Sequence, residues 1–188
     1  ANAQSQLREG TMDFAITPLP ASSAPQEFHC EPLLEYETAY MVRRGHPLAH
    51  STSLHQLLEQ DWVMSYTPES FDALFDEVFL RHGVRLPRQR IIQAHSFGML
   101  QALVESAEMC TWCPRPIAAL PQFASRLQPL ALRESSRPVQ LNIVTRRNSI
   151  LSAAAHAFID TLVRTLRQQA RSSRPEDRQI YDRVHLLI

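Results

Sequence analysis

Apolar positions in this chain follow two rhythms, short unbroken runs and helical stripes, and the two alternate along its length. A short helix over residues 3–9 is closed by Gly10, which tolerates the left-handed backbone just past a helix end, and Asp13-Phe14-Ala15-Ile16 then reads as a strand. Residues 33–42 read as one further strand, ending in the turn Arg43-Arg44-Gly45-His46-Pro47. Ser53 and Gln56 have capping-box spacing for a helix to about residue 60. Trp62-Val63-Met64-Ser65-Tyr66 is a strand, and Ser70 is placed to cap a helix with Phe71, Leu74, Phe75, Val78 and Phe79 on one face, stopped by Gly83. Residues 90–94 form a strand. Ser96 caps a helix carrying Met99, Leu100, Leu103 and Val104, and residues 109–113 form a strand halted by Pro114 and Pro116.

Strands at 127–132 and 139–145 precede a long helix, opened by Ser149 or Ser152, that turns Leu151, Ala155, Phe158, Ile159, Leu162 and Leu166 inward. The polar stretch 171–175 breaks it. A tail helix follows, with Ser173 and Glu176 at capping-box spacing. Residues 17–26, with three prolines and two serines, make a surface connector. Strands alternating with helices predict an α/β protein with mainly parallel sheets, because parallel neighbours need crossover connections. Ligands of such sheets bind beyond the carboxyl ends of the strands. That edge holds Thr17, Ser65, Tyr66, Thr67, Ser70, His95, Ser96 and Thr111.

Composition narrows the function. With 188 residues and 44% apolar content the chain can bury one sizeable core or two small ones sharing a hinge. Its 19 Lys and Arg balance 19 Asp and Glu, so the chain as a whole offers no basic field to phosphate or anionic lipid. No apolar run approaches the roughly 20 residues that span a bilayer, and no signal pattern opens the chain, so a cytoplasmic location is expected. Three cysteines argue against a disulfide scaffold. Four glycines, none at phosphate-loop spacing, argue against nucleotide binding.

Cys110-Thr111-Trp112-Cys113-Pro114 has the spacing of a thiol redox motif, but that chemistry wants the first cysteine at a helix N-terminus, where the dipole lowers its pKa. On a strand, positions 110 and 113 face opposite sides. Neither redox catalysis nor a zinc site is expected, and no nucleophile-elbow sequence accompanies any serine. Ser65, Tyr66, Thr67 and Ser70, at a strand end and helix start, instead suit a carboxylate or sulfonate held by hydroxyls and free amides.

Four stretches in order carry a resemblance to a known family. They are Leu7-Arg8-Glu9-Gly10 with Asp13-Phe14-Ala15-Ile16; Glu31-Pro32-Leu33 through Gly45-His46-Pro47-Leu48-Ala49; Leu54, Leu57-Leu58 and Trp62-Val63 into the following helix; and Arg146-Arg147-Asn148-Ser149 with Phe158-Ile159-Asp160. Together they resemble the effector-binding domain of LysR-type transcriptional regulators over residues 3–168. The resemblance implies two α/β lobes joined by crossing segments, like type 2 periplasmic binding proteins, with a small, anionic effector in the cleft. Lobe one would be 1–50 plus 138–170, lobe two 51–137, and 171–188 a tail. It further implies self-association as dimer or tetramer, and DNA contact through an N-terminal winged helix-turn-helix outside these residues. The opening strand and helix of lobe one are likewise expected before Ala1. No cofactor or metal and no enzymatic activity are expected. The rival readings are a transporter's solute-binding protein and an enzyme using Cys110 or Cys113.

Overall fold

A computed structural model describes residues 3–18 and 24–188. The connector expected at 17–26 therefore lies partly outside the described residues. In chain order the elements are α1 (Ala3–Glu9), β1 (Phe14–Thr17), β2 (Phe28–Tyr36), β3 (Thr38–Arg43), β4 (Trp62–Met64), α2 (Phe71–Val78), β5 (Ile91–Gln93), α3 (Phe97–Ser106), β6 (Cys110–Pro114), α4 (Pro121–Ala124), β7 (Leu127–Pro129), β8 (Val139–Arg146), α5 (Ala153–Ala170), α6 (Pro175–Tyr181) and β9 (Val184–Leu186). They form two compact units, Ala1–Tyr36 with Pro138–Ile188, and Glu37–Arg137.

The first unit is built on a four-stranded sheet of order β1-β8-β2-β9. Val144 of β8 pairs with Ala15 on one side and Cys30 on the other. Leu7, Ala15, Phe28 and Val144 close a small core beneath α1. Gly10 leaves α1 at φ +73°, the left-handed value the sequence assigns it. β2 slips register between Pro32 and Leu34, where proline lacks the N–H that a regular ladder would use.

The second unit holds a five-stranded sheet of order β5-β4-β6-β3-β7, in which β4 runs parallel to β5 and β6, and β3 antiparallel to β6 and β7. Alternation along these strands fills two cores. Tyr40, Val42, Trp62 and Met64 pack with Phe75, Val78 and Phe79, while Ala39, Met41 and Val63 pack with Leu100 and Val104. The ring of Trp62 meets Phe79 edge-on at 4.9 Å.

The two-unit α/β architecture stands, with four corrections. The sheets are mixed, and every pairing in the first is antiparallel: β8 re-enters that unit running against β2, which left it. The apolar run 33–42 is two strands in two sheets, parted at Glu37. Residues 37–50 consequently sit in the second unit, because β3 takes its ladder bonds from β6 and β7. The tail is not one helix. Arg174 and Pro175 open α6 without a side-chain cap, and Val184–Leu186 turns into a strand on β2, whose edge offers unpaired amides and carbonyls. Finally, α5 is capped by Ser152 but buries only Ala155; Phe158, 5.6 Å from the Phe14 ring, stays 57% exposed.

Candidate functional site

In the second unit, β4 and β5 are parallel and in register, Met64 opposite Gln93, so their carboxyl ends lie side by side. β4 gives way to Ser65, Tyr66 and Thr67, and β5 to Ala94, His95 and Ser96. Two bonds beyond the ladder tie these loops together. The Ala94 amide donates to the Met64 carbonyl at 2.8 Å, and the Gln93 side-chain amide to the Tyr66 carbonyl at 2.7 Å.

Each loop then starts a helical turn. Ser96 is extended, and its Oγ accepts the Met99 amide at 3.2 Å, leaving the start of α3 at the edge. Thr67 opens a 3-10 turn over Pro68–Ser70. The Ser70 hydroxyl accepts the Thr67 amide at 2.9 Å and donates to its carbonyl at 3.1 Å. Ser70 therefore does not cap α2. Its own backbone is already helical, so the hydroxyl reaches back rather than forward.

Ser65, Thr67, Ser70, His95 and Ser96 are exposed, and Tyr66 is half-buried with its ring 4.7 Å from Phe71. These six of the eight sequence candidates share one edge of one unit. Thr111 does not join them: it is 0% exposed, and its hydroxyl donates to the Val63 carbonyl at 2.7 Å inside the sheet. Thr17 lies half-buried in the other unit, opposite Asn142 in register. Gln93 is the position the sequence reading passed over. Its one signal is a polar residue closing the short apolar run Ile91-Ile92.

Cys110 and Cys113 face opposite sides of β6, one in each core, and burial pushes both thiols up to about 12. Neither is a nucleophile at neutral pH.

Behind the edge, the return segment of the unit is pinned by Glu134. Its side chain, 8% exposed, accepts the Ser53 hydroxyl at 2.8 Å and the Leu54 amide at 3.0 Å, completing the cap that Ser53 and Gln56 begin. Burial alone would raise this carboxyl, but the bonds from Leu54, Ser53, its own amide and Arg133 outweigh it and hold the pKa at about 2. Nearby, Trp112 Nε1 donates to Ser136 Oγ at 2.8 Å.

A two-unit α/β fold with hydroxyls and a helix start gathered at parallel strand ends has the setting in which such sheets bind small molecules. The profile of the LysR substrate binding domain matches residues 1–167, and the chain belongs to that family. The HTH-type transcriptional regulator TdcA of Escherichia coli K12 is 24% identical over 154 residues, 82% of this chain and 48% of TdcA. The chain thus spans about half the length of that relative. Among solved structures, the effector binding domain of QuiR in complex with shikimate superposes with a TM-score of 0.67 at 19% identity, covering 86% of this chain and 75% of that one. The regulatory domain of Synechocystis PCC6803 CcmR in complex with 2-PG gives 0.65 at 19%, covering 86% and 77%. These likenesses carry the fold. Among the described residues no helix is long and apolar enough to cross a membrane.

Proposed function

We propose that this chain is the effector-sensing part of a LysR-type transcriptional regulator, not an enzyme, and that the strand-end edge of the second unit takes a small carboxylate or phosphate ester. The observation that carries the reading is the juxtaposition of Ser65 and Thr67 after β4 with His95 and Ser96 after β5, at the start of a ten-residue helix. Free amides and the dipole at such a start favour negative charge. QuiR and CcmR, which share the fold, are recorded with shikimate and 2-PG, and shikimate is a carboxylate. Effector binding would act by shifting the population between arrangements of the regulator, by no more than its preference for one of them. Dimer or tetramer formation, and DNA contact through a helix-turn-helix domain like that of TdcA, complete the reading.

Calorimetric titration with shikimate and a panel of small carboxylates and phosphate esters tests it. One panel member should bind, and Ser65→Ala and Ser96→Gly should each weaken it about 10- to 150-fold, the value of a hydrogen bond to a charged group. Glycine at 96 keeps the cap to within a few tenths of a kcal/mol, so folding is preserved. Affinity unmoved by either substitution would remove the site assignment.

A further inference from the structure

The chain contains no lysine, so all 19 of its Lys/Arg cations are arginines. Many of them meet acids: Arg8 pairs with Glu27, Arg43 with Glu108, Arg81 with Glu77, Arg88 with Asp72, and Arg90 with Glu59 and Asp61, while Arg44 and Arg147 bond backbone carbonyls. The C-terminal stretch concentrates arginine. Residues 164–188 hold six arginines against only Glu176, Asp177 and Asp182. Within it Arg164, Arg167 and Arg171 are exposed and form no ion pair with any described residue.

Spacings of three and four put these three guanidiniums on one face of α5, opposite the stripe of Leu162 and Leu166. With Asp160, Val163 and Gln168 they line a trough of about 720 Å³, and a second, of about 510 Å³ and lined also by Asp177, continues past Ser172 and Ser173 to Arg174. Residues 168–188, with Arg171 and Arg174, lie beyond the matched family profile. Compensation of the helix dipole explains arginines in the last turn only, since that effect fades within a turn. Arg164 stands further back.

We propose that this arginine stripe is a contact surface for the sugar–phosphate backbone of duplex DNA. The three side chains spread over about 10 Å of helix axis at 1.5 Å per residue instead of converging on a point. A row of that length suits an extended polyanion carrying one charge per ~3.4 Å of strand better than one compact phosphate. Guanidinium forks match phosphate oxygens in pairs, and such contacts position a protein without reading sequence. The choice of DNA over other polyanions rests on the regulator reading above.

The test titrates the 188-residue chain into a labelled random-sequence duplex between 50 and 200 mM salt. Three phosphate contacts give a log–log slope of about −2.7, a roughly 40-fold loss of affinity over that range. Replacing all three by glutamine (Arg164→Gln, Arg167→Gln, Arg171→Gln) should flatten the slope, and the corresponding lysine replacements should keep it. No duplex binding, an unchanged slope in the glutamine variant, or binding of polyglutamate or phosphatidylserine vesicles in place of duplex overturns the proposal. Carboxylate titration of the parent chain runs alongside. Intact carboxylate binding without DNA binding sinks the stripe alone, whereas loss of both strikes the regulator reading itself.

Discussion

Glu134→Gln removes a charge that ties the return segment of the second unit to the turn at Ser53 and Leu54. The carboxylate falls from an ordinary 4.5 to about 2, which corresponds to roughly 3 kcal/mol of preference for the ionised form in the folded chain. Partial access of water to the segment lowers a working figure to about 2 kcal/mol. Because the folded pKa is depressed, this stability is fully present above about pH 5 and is lost as pH falls toward 2. Glutamine keeps the shape and one acceptor oxygen but has no charge to titrate. The variant should therefore be weaker than the parent by about 2 kcal/mol at pH 7, with the gap shrinking by about 1 kcal/mol at pH 3.5. Urea unfolding followed by tryptophan fluorescence isolates the effect, since the chain's two tryptophans, Trp62 and Trp112, both lie in the second unit with Glu134. A gap that stays constant between the two pH values would refute the assignment of the stability to ionised Glu134.

Three further outcomes are expected. Cys110 and Cys113, with thiols at about 12, should resist a disulfide reagent at pH 8 until the chain is unfolded, leaving half-buried Cys30 as the first to react; fast native labelling of more than one thiol contradicts the burial argument. Asn148 sits at φ +62° in the turn before α5, so Asn148→Ala should cost about 1 kcal/mol and Asn148→Gly nothing, as read by thermal melting. Phe79→Ala, at 0% exposure against Trp62, should cost about 3–5 kcal/mol by the same urea assay.

Much of this molecule is written in local pattern. Glycines at 10 and 83 end helical segments at positive φ, Ser53 and Gln56 form their capping box, Ser96 and Ser152 cap α3 and α5, and Cys110 and Cys113 part to opposite faces as their odd spacing requires. Each depends on residues within a turn or a strand of one another, which is why sequence suffices. The polar edge after β4 and β5 was legible for the same reason, given the rule that ligands sit beyond strand ends.

Tertiary structure alone decided the rest. Nothing local distinguishes residues 33–42 as one strand or two, because the break at Glu37 exists only where the two halves find different partners, β8 and β6. Thr111 is a hydroxyl near a strand end like Ser65 and Thr67, yet a parallel strand alongside takes its hydroxyl into the core. Ile180, Val184 and Leu187 have the spacing of a helix face, yet Val184–Leu186 becomes a strand because the edge of β2 supplies hydrogen bonds that a short tail helix cannot replace. Local spacing fixes which way a side chain points along its own element. Which partner meets it there is settled by segments a hundred residues away, through ladder bonds and buried surface that no single stretch contains.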